Sequence, residues 1–323
     1  MKVLVTGASG MLGGAVARAL VERGDDVTVL QRRPSGVPCR EVLGDVAEPD
    51  VVRRAAADAE AVVHLAAKVH VTGAWPQYLR TNVLGTRAVA QACQAVGTRR
   101  LVHVSSPAVA HGGNALMGVG ATPADPDQAR SHYARSKALA EQAALAADST
   151  GLAVVAVRPH LVWGPGDTQL VSRVVARARS GRLPLIGAGT ALIDTTYVSN
   201  AVEALVAALD ADVHGEALMV SNGEPRPVGE VLARICAAAG VPGPRGRVPL
   251  GVARLGGAVC EAVWAVGRLS GDPPMTRFLA EQLATAHWFD LSRTRRALAW
   301  TPRVSLDEGF EELTRWYGSR RRE

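Results

Sequence analysis

The stretch that decides the fold stands at the start of the chain and reads Met1-Lys2-Val3-Leu4-Val5-Thr6-Gly7-Ala8-Ser9-Gly10-Met11-Leu12-Gly13-Gly14. Its apolar run at 3–5 predicts a buried strand, and residues 15–23 predict a helix. Between them, Gly7 permits a tight turn, Gly10 lets backbone approach a pyrophosphate, and Gly13 lets the helix pack against the strand. This order indicates a dinucleotide-binding site, because the N–H groups at the start of the helix face the anion.

Length and composition describe a globular protein with a large core. The chain has 323 residues, of which 48% are hydrophobic, enough for one large domain or two lobes. The net charge of +6 is scattered along the chain, so we expect no nucleic-acid partner. Four widely spaced cysteines are typical of a reducing compartment, and the histidines lack metal-ligand spacing, so no metal site is predicted. The chain opens directly on a strand, which favours a cytoplasmic protein.

Further apolar segments alternate with helical segments through the first half of the chain. Strands are predicted at 27–30, 41–43, 61–65, 101–104 and 154–157, and helices at 49–58, 80–96 and 131–149. Alternation of this kind predicts an α/β fold, a Rossmann-type doubly wound parallel sheet whose ligands bind at the carboxyl ends of the strands.

The second half is less regular and predicts a smaller, mostly helical C-terminal lobe. We assign 1–165 to an NADP-binding Rossmann domain, to which 190–222 returns, and 166–323 mainly to a substrate-binding lobe. The loop at 107–130 is rich in Gly, Ala and Pro and could be mobile over a substrate. The apolar stretch 250–269 contains three charged residues, which argues against a membrane-spanning helix. It predicts a core helix, a wall of an acyl-chain pocket or a contact with a membrane surface.

One pair of residues carries the predicted chemistry. Tyr133 and Lys137 are four positions apart, so on a helix their side chains share a face. A nearby ammonium stabilises phenolate and lowers the pKa of tyrosine, which suits Tyr133 to proton transfer near neutral pH. A serine hydroxyl after the fifth strand would hold the substrate oxygen. Ser106 is the first candidate for that role, and Ser105 is the second.

Cofactor choice is predicted at the end of the second strand. An acidic residue there binds the ribose hydroxyls of NAD, but this chain has Gln31 followed by Arg32 and Arg33. Without a carboxylate the 2′-phosphate of NADP is not repelled, and Arg32 can pair with it. The sequence therefore favours NADP over NAD.

The order of the motifs resembles the extended short-chain dehydrogenase/reductases along nearly the whole chain. The matching segments are Thr6 to Gly13, Asp45-Val46, His64-Leu65-Ala66-Ala67, Asn82 to Thr86, Ser105 to Val109, Tyr133 to Lys137, Arg158 to Asp167 and Asp194 to Asn200. Ala110-His111-Gly112 departs from the pattern, because nucleotide-sugar enzymes of the family usually have a tyrosine in this segment.

The resemblance implies a set of site residues. Ser106, Tyr133 and Lys137 would be catalytic. Cofactor contacts would come from Gly7, Ser9, Gly10, Met11, Leu12, Gly13, Arg32, Arg33, Asp45, Val46, Leu65, Ala66, Ala67, Asn82, Ser105, Tyr133, Lys137, Pro159 and Val162. Substrate contacts would come from Ser106, His160 and Trp163.

Within that family the segment from Arg158 to Asp167 is similar to the 3β-hydroxysteroid dehydrogenase-like branch and to the bacterial 2-alkyl-3-oxoalkanoate reductases of olefin biosynthesis. The resemblance implies NADPH-dependent reduction of a lipophilic 3-oxo acid to the 3-hydroxy acid. The alternatives are a hydroxysteroid dehydrogenase, a sugar-nucleotide epimerase or dehydratase, and a non-catalytic protein that senses NAD(P). A homodimer, partner enzymes of the same pathway and a peripheral membrane contact are compatible with the sequence.

Overall fold

The fold is organised around a parallel sheet of seven strands. The computed structural model describes residues 1–69, 73–267 and 273–320. The strands are β1 (Lys2–Thr6), β2 (Asp26–Gln31), β3 (Arg40–Leu43), β4 (Ala61–His64), β5 (Arg100–Val104), β6 (Leu116–Val119), β7 (Ala153–Pro159), β8 (Val162–Trp163), β9 (Leu185–Ile186), β10 (Leu192–Ile193), β11 (Thr196–Tyr197), β12 (Glu216–Val220), β13 (Arg226–Pro227), β14 (Arg247–Val248) and β15 (His287–Phe289).

The helices lie on both faces of this sheet and in a second lobe. They are α1 (Met11–Glu22), α2 (Pro49–Ala56), α3 (Trp75–Tyr78), α4 (Gly85–Val96), α5 (His132–Leu145), α6 (Val171–Arg179), α7 (Val198–Asp210), α8 (Val228–Ala239), α9 (Leu250–Gly267), α10 (Arg277–Ala284), α11 (Ser292–Leu298) and α12 (Leu306–Arg320). A π-helical segment, Leu79–Leu84, joins α3 to α4, and a 3₁₀ turn, Pro107–Ala110, follows β5.

The order of the strands confirms the predicted doubly wound sheet. Read across the sheet it is β12-β7-β5-β4-β1-β2-β3, with every neighbouring pair parallel. The chain winds in one direction from β1 to β3 and in the other from β4 to β7. The reversal between β1 and β4 opens a crevice at their carboxyl ends, where doubly wound sheets bind ligands.

Apolar side chains on the two faces of the sheet form two separate cores. One core joins α1 and α7 to alternate residues of the central strands, such as Val5 and Val63. The other joins α2 and α4 to the opposite face, through residues such as Leu4 and Val62. The near-continuous apolar runs of β1 and β4 follow from this, because a strand covered on both faces buries every side chain.

The second lobe has a core of its own around α6, α8 and α12. Trp163 lies at its centre, stacked on Phe310 with 4.5 Å between ring centroids. A four-stranded sheet, in the order β13-β10-β15-β6, connects this lobe to the first half. Its strand β6 comes from the segment 107–130, so that segment carries regular structure as well as loop. The strand β12 returns to the edge of the main sheet beside β7.

The apolar stretch that begins at Leu250 forms one helix, α9 (Leu250–Gly267), although it contains four glycines. Ala253 and Gly257 face the protein, and a Cβ on Gly257 would lie 2.6 Å from the backbone of Thr276. The opposite face is exposed, which contradicts the first of the three predicted roles, a fully buried core helix. The predicted end of the stretch, at 268–269, lies outside the described residues. No helix in the described part of the chain is long and apolar enough to cross a bilayer.

Candidate active site

The glycine turn between β1 and α1 forms a cradle with no room for side chains. Gly7 has φ +81°, and a Cβ there would lie 2.8 Å from the backbone nitrogen of Ala66. A Cβ on Gly13 would lie 2.4 Å from the carbonyl oxygen of Gly7. Gly10 is the N-cap of α1 and supplies no side-chain acceptor, so the N–H groups of the first helical turn are open to an anion. This backbone cradle fits the pyrophosphate of a dinucleotide.

Buried polar contacts fix the two strands at the crevice. The hydroxyl of Thr6 accepts a hydrogen bond from the backbone N–H of Ala66 at 3.1 Å and contacts Nδ1 of His64 at 2.7 Å. Nε2 of His64 lies 2.9 Å from the hydroxyl of Thr86. Burial lowers the pKa of His64 to about 3, so this imidazole is neutral. In the sequence, His64 is recognised only within the segment His64 to Ala67 that resembles the family. In the structure its side-chain contacts join β1, β4 and α4.

The end of β2 presents the residues predicted to choose the cofactor. Arg32 and Arg33 are exposed, and neither has an ion pair within the ranges that the structure covers. The Gln31 side chain is buried and donates to Oε1 of Glu41 at 2.5 Å. That carboxylate also accepts from the backbone and the hydroxyl of Ser35. Its negative charge is therefore held by local donors, while the two guanidinium groups are free to meet an anion.

The remaining predicted cofactor contacts follow the carboxyl ends of the strands. Asp45 lies after β3, where one carboxylate oxygen is 3.2 Å from Nη2 of Arg80. Asn82 is buried in the π-helical segment, accepts from the backbone N–H of Lys68 at 2.7 Å and donates to the hydroxyl of Ser136 at 2.8 Å. Beside the same strand ends lie Ser9, Met11, Leu12, Val46, Leu65, Ala67, Pro159 and Val162.

The structure brings Tyr133 and Ser106 together. The Ser106 side chain lies close enough to Tyr133 to lower the pKa of its hydroxyl, and it also accepts a hydrogen bond from the backbone N–H of Ala108 at 3.3 Å. The hydroxyl of the neighbouring Ser105 is buried and has no partner among the described residues. Successive residues of an extended chain point in opposite directions, so only one of the two serines can face Tyr133. Ser106 is that residue.

Lys137 lies one helical turn beyond Tyr133, as its spacing predicted. Its ammonium donates to the backbone carbonyl of Val104 at 2.6 Å. Burial lowers the pKa of Lys137 to about 8, and the carboxylate of Glu141 opposes that shift. Burial also raises the pKa of Tyr133, against the smaller lowering effect of the Ser106 side chain. Within the protein alone, desolvation therefore outweighs the lowering that we expected for the tyrosine.

The two predicted substrate contacts have different surroundings. His160 follows β7, is buried, and has an Nδ1 atom without a partner among the described residues. Its ring meets the rings of His287 and Phe289 edge-on at 4.9 and 5.1 Å between centroids. Trp163 is fully buried and donates from Nε1 to the hydroxyl of Thr195 at 3.0 Å. The described contacts of Trp163 are those of a core residue, so its role toward substrate stays a prediction.

Three polar residues near the site were not predicted. His111 and His287 are buried with their rings 6.5 Å apart, and both nitrogens of His111 lack partners among the described residues. Glu141, in α5, forms a buried ion pair with Arg158 of β7. Its position four residues after Lys137 was the available signal, since residues at that spacing share a helix face.

Comparison with known proteins identifies the family. Residues 3–221 match the NAD dependent epimerase/dehydratase family. The chain belongs to this family. It is 43% identical over 326 residues to a 2-alkyl-3-oxoalkanoate reductase of Stenotrophomonas maltophilia, and the alignment covers 97% of this chain and 98% of the relative. It is 29% identical over 341 residues to a 3 beta-hydroxysteroid dehydrogenase/Delta 5-->4-isomerase of Mycobacterium tuberculosis, and that alignment covers 98% of this chain and 90% of the relative.

The solved structure of MoeE5 in complex with UDP-glucose and NAD superimposes on the chain with a TM-score of 0.77 and 28% identity, and covers 100% of this chain and 99% of that one. The predicted extended short-chain dehydrogenase/reductase, with relatives in the 3β-hydroxysteroid dehydrogenase-like branch, is confirmed. This epimerase/dehydratase family member is an oxidoreductase that uses a pyridine nucleotide. Its glycine cradle would hold the pyrophosphate of the cofactor. Lys137 and Tyr133 lie on the side of the crevice where the nicotinamide would bind.

Proposed function

We propose that the protein reduces a 2-alkyl-3-oxoalkanoate to the 2-alkyl-3-hydroxyalkanoate with NADPH. The observation that carries this proposal is the 43% identity to a reductase of that name along 97% of the chain. A second relative of the same name, from Shewanella oneidensis, is 36% identical over 328 residues. Ser106 and Tyr133, which lie close together, and Lys137 one helical turn away supply the side chains that such a reduction needs.

Each of the three residues has a distinct task in this proposal. When bound, the cofactor supplies the hydride that reduces the 3-oxo carbon. Ser106 donates a hydrogen bond to the oxo oxygen and orients it, and Tyr133 gives that oxygen its hydroxyl proton, so that the ketone becomes an alcohol. Lys137 stabilises the phenolate left on Tyr133. Proton transfer relayed from solvent then restores the tyrosine.

The preference for NADPH rests on the end of β2. The exposed Arg32 and Arg33 offer guanidinium groups for a 2′-phosphate, and the nearby carboxylate of Glu41 is occupied by Gln31 and Ser35. A guanidinium is well suited to a phosphate because it donates two parallel hydrogen bonds.

The exposed face of α9 supports a peripheral contact with a lipid surface. Five aliphatic side chains, each 50–87% exposed, lie within an arc of about 80° at 3.6 residues per turn: Val252, Leu255, Val259, Val263 and Val266. Arg245 and Arg247, exposed just before α9, have no ion pair in the described ranges. An apolar stripe with basic residues beside it matches the surface of an anionic membrane. A homodimer or a partner enzyme on this face is the alternative.

The test of function compares substrate classes. We expect the purified protein to oxidise a synthetic 2-alkyl-3-hydroxyalkanoate with NADP⁺. This direction of assay starts from a stable compound, whereas the 3-oxo acid loses CO₂ on standing. A panel of 3β-hydroxysteroids and UDP-sugars is measured beside it. Turnover of steroids or UDP-sugars in preference to the hydroxy acid would favour the alternative enzymes. NADPH binding without turnover of any compound would favour a non-catalytic sensor.

A further inference from the structure

A buried ion pair begins one helical turn beyond Lys137, at Glu141 of α5. Arg158 donates from Nε and Nη2 to the two carboxylate oxygens of Glu141, at 2.8 and 2.5 Å, and both side chains are 2% exposed. The third guanidinium donor, Nη1, reaches the backbone carbonyl of Thr122 at 2.8 Å. Even with its donors satisfied, a fully desolvated ion pair adds little net stability compared with apolar side chains of the same volume. The pair therefore needs a reason beyond stability.

The position of Glu141 connects the pair to the reaction. Glu141 and Lys137 are one helical turn apart on the same face of α5, and both are buried. In the described part of the chain, the ammonium also interacts with His64 of β4 and His103 of β5, and burial lowers the pKa of both histidines; Tyr133 lies one turn earlier on the same helix. Glu141 is thus the anionic group that opposes desolvation of the Lys137 ammonium.

We propose that Glu141 and Arg158 form a positioning pair that keeps Lys137 charged beside Tyr133. Glu141 supplies the negative charge, and Arg158 fixes the carboxylate with two hydrogen bonds and moderates its field. Without Glu141 the buried ammonium loses its counter-charge and gives up its proton at lower pH. Without Arg158 the carboxylate acts on Lys137 unopposed. The inference rests on the roles of Tyr133 and Lys137 in the proposed function and explains why a charged pair lies under them.

The charge on Lys137 can be measured without any substrate. The chain contains three lysines, at 2, 68 and 137, so protein labelled with ¹³C at lysine Cε gives three resolvable NMR signals. We expect the Lys137 signal of the wild type to titrate near pH 8, where the structure places its pKa. In Glu141→Gln, which keeps the shape of the side chain, the midpoint should fall by about one unit or more. In Arg158→Met it should rise.

A matched control comes from the surface. Glu216 and Arg293 form a two-point pair like that of Glu141 and Arg158, but both side chains are more exposed, at 32% and 55%. Glu216→Gln should leave the Lys137 midpoint unchanged. If Arg158→Met does not fold, Arg158→Lys is used instead, because it keeps the charge but loses the two-point hydrogen bond of the guanidinium. The Lys137 midpoint should then rise by less than in Arg158→Met.

Failure of this inference is distinguishable from failure of the proposed function. An unmoved Lys137 midpoint in folded Glu141→Gln, or an equal shift in Glu216→Gln, would overturn the pair's role whatever the substrate is. Where the hydroxy acid is turned over, the alkaline limb of the kcat profile should shift with the NMR midpoint. A uniform loss of kcat at every pH, with no shift, would indicate a structural role only and would also overturn it.

Discussion

The Ser106 side chain lies close enough to Tyr133 to lower the pKa of its hydroxyl, while the hydroxyl of Ser105, one residue earlier, is buried without a partner among the described residues. Tyr133 comes from α5 and Ser106 from the turn after β5, so two elements of the main domain deliver the two groups to the same point. A substrate oxygen that lies between them meets a hydroxyl from each side. This geometry leads to the first two predictions.

Tyr133→Phe should lose most of its turnover and keep its affinity for the cofactor, because the ring remains and the acidic hydroxyl does not. We expect kcat to fall by about 10²–10⁴-fold, measured in the oxidation of the 3-hydroxy acid. The Kd of NADPH, from its fluorescence, should change little. Tyr317→Phe, on α12, serves as the control. Turnover near the wild-type level would remove Tyr133 from the mechanism.

Ser106→Ala and Ser105→Ala form a matched pair of neighbouring substitutions. Removing the hydroxyl that faces Tyr133 should lower kcat by about 10²-fold or more, whereas Ser105→Ala should have a much smaller effect on kcat. The comparison is made with both substrate and cofactor saturating, so that a weaker contact with the cofactor does not affect the measured kcat. The reverse order of effects would return Ser105 to the catalytic role.

Arg32→Ala should weaken NADPH binding and leave NADH binding nearly unchanged. A charged hydrogen bond to the 2′-phosphate contributes about 1.5–3 kcal/mol, which corresponds to about ten- to a hundredfold in Kd. Isothermal titration with each cofactor measures the difference, and Arg40→Ala, on the neighbouring strand, is the control. A wild-type protein that binds NADH more tightly than NADPH would contradict the assignment of Gln31 and Arg32.

The free energy of unfolding should decrease as the pH is lowered below about 6.5, because several buried histidines take up protons on unfolding. The pKa of His64 is about 3 in the folded protein, against about 6.5 in an unfolded chain. The unfolded state then binds more protons between these values, so stability is present above pH 6.5 and is lost as the pH falls toward 3. His64→Asn should reduce the slope by up to about 1.4 kcal/mol per pH unit, measured by urea unfolding between pH 6 and 4. An unchanged slope would show that His64 is protonated in the folded state.

Leu255→Asp and Val259→Asp should abolish co-sedimentation with anionic vesicles if α9 rests on a lipid surface. Burying one such side chain contributes about 1.5–3 kcal/mol, so each substitution should weaken binding by about tenfold or more. Leu192→Asp, at an exposed aliphatic residue of β10, is the control. The alternative is that the wild type does not bind vesicles but forms a dimer in sedimentation velocity, and that Leu255→Asp loses this dimer. That outcome would assign the exposed face of α9 to a second copy of the chain.

The features predicted correctly from sequence are those with local causes. The turn at Gly7, Gly10 and Gly13 depends on backbone conformation and close packing within a few residues. The spacing of Tyr133 and Lys137 fixes a shared helix face. Alternating apolar and helical segments predicted the parallel sheet, because a strand buried on both faces must be apolar throughout. The order of these motifs was enough to indicate the family.

Tertiary structure decided the features that depend on distant residues meeting. Which serine faces Tyr133, the pairing of Glu141 with Arg158 seventeen positions away, and the entry of β6 into the sheet of the second lobe have no local signal. The same holds for α9, for which the sequence left a buried core, a pocket wall and a membrane contact open until the structure showed one face exposed. A sequence specifies which side chains share a face of a helix or strand, but the packing of the remaining elements determines whether that face is covered.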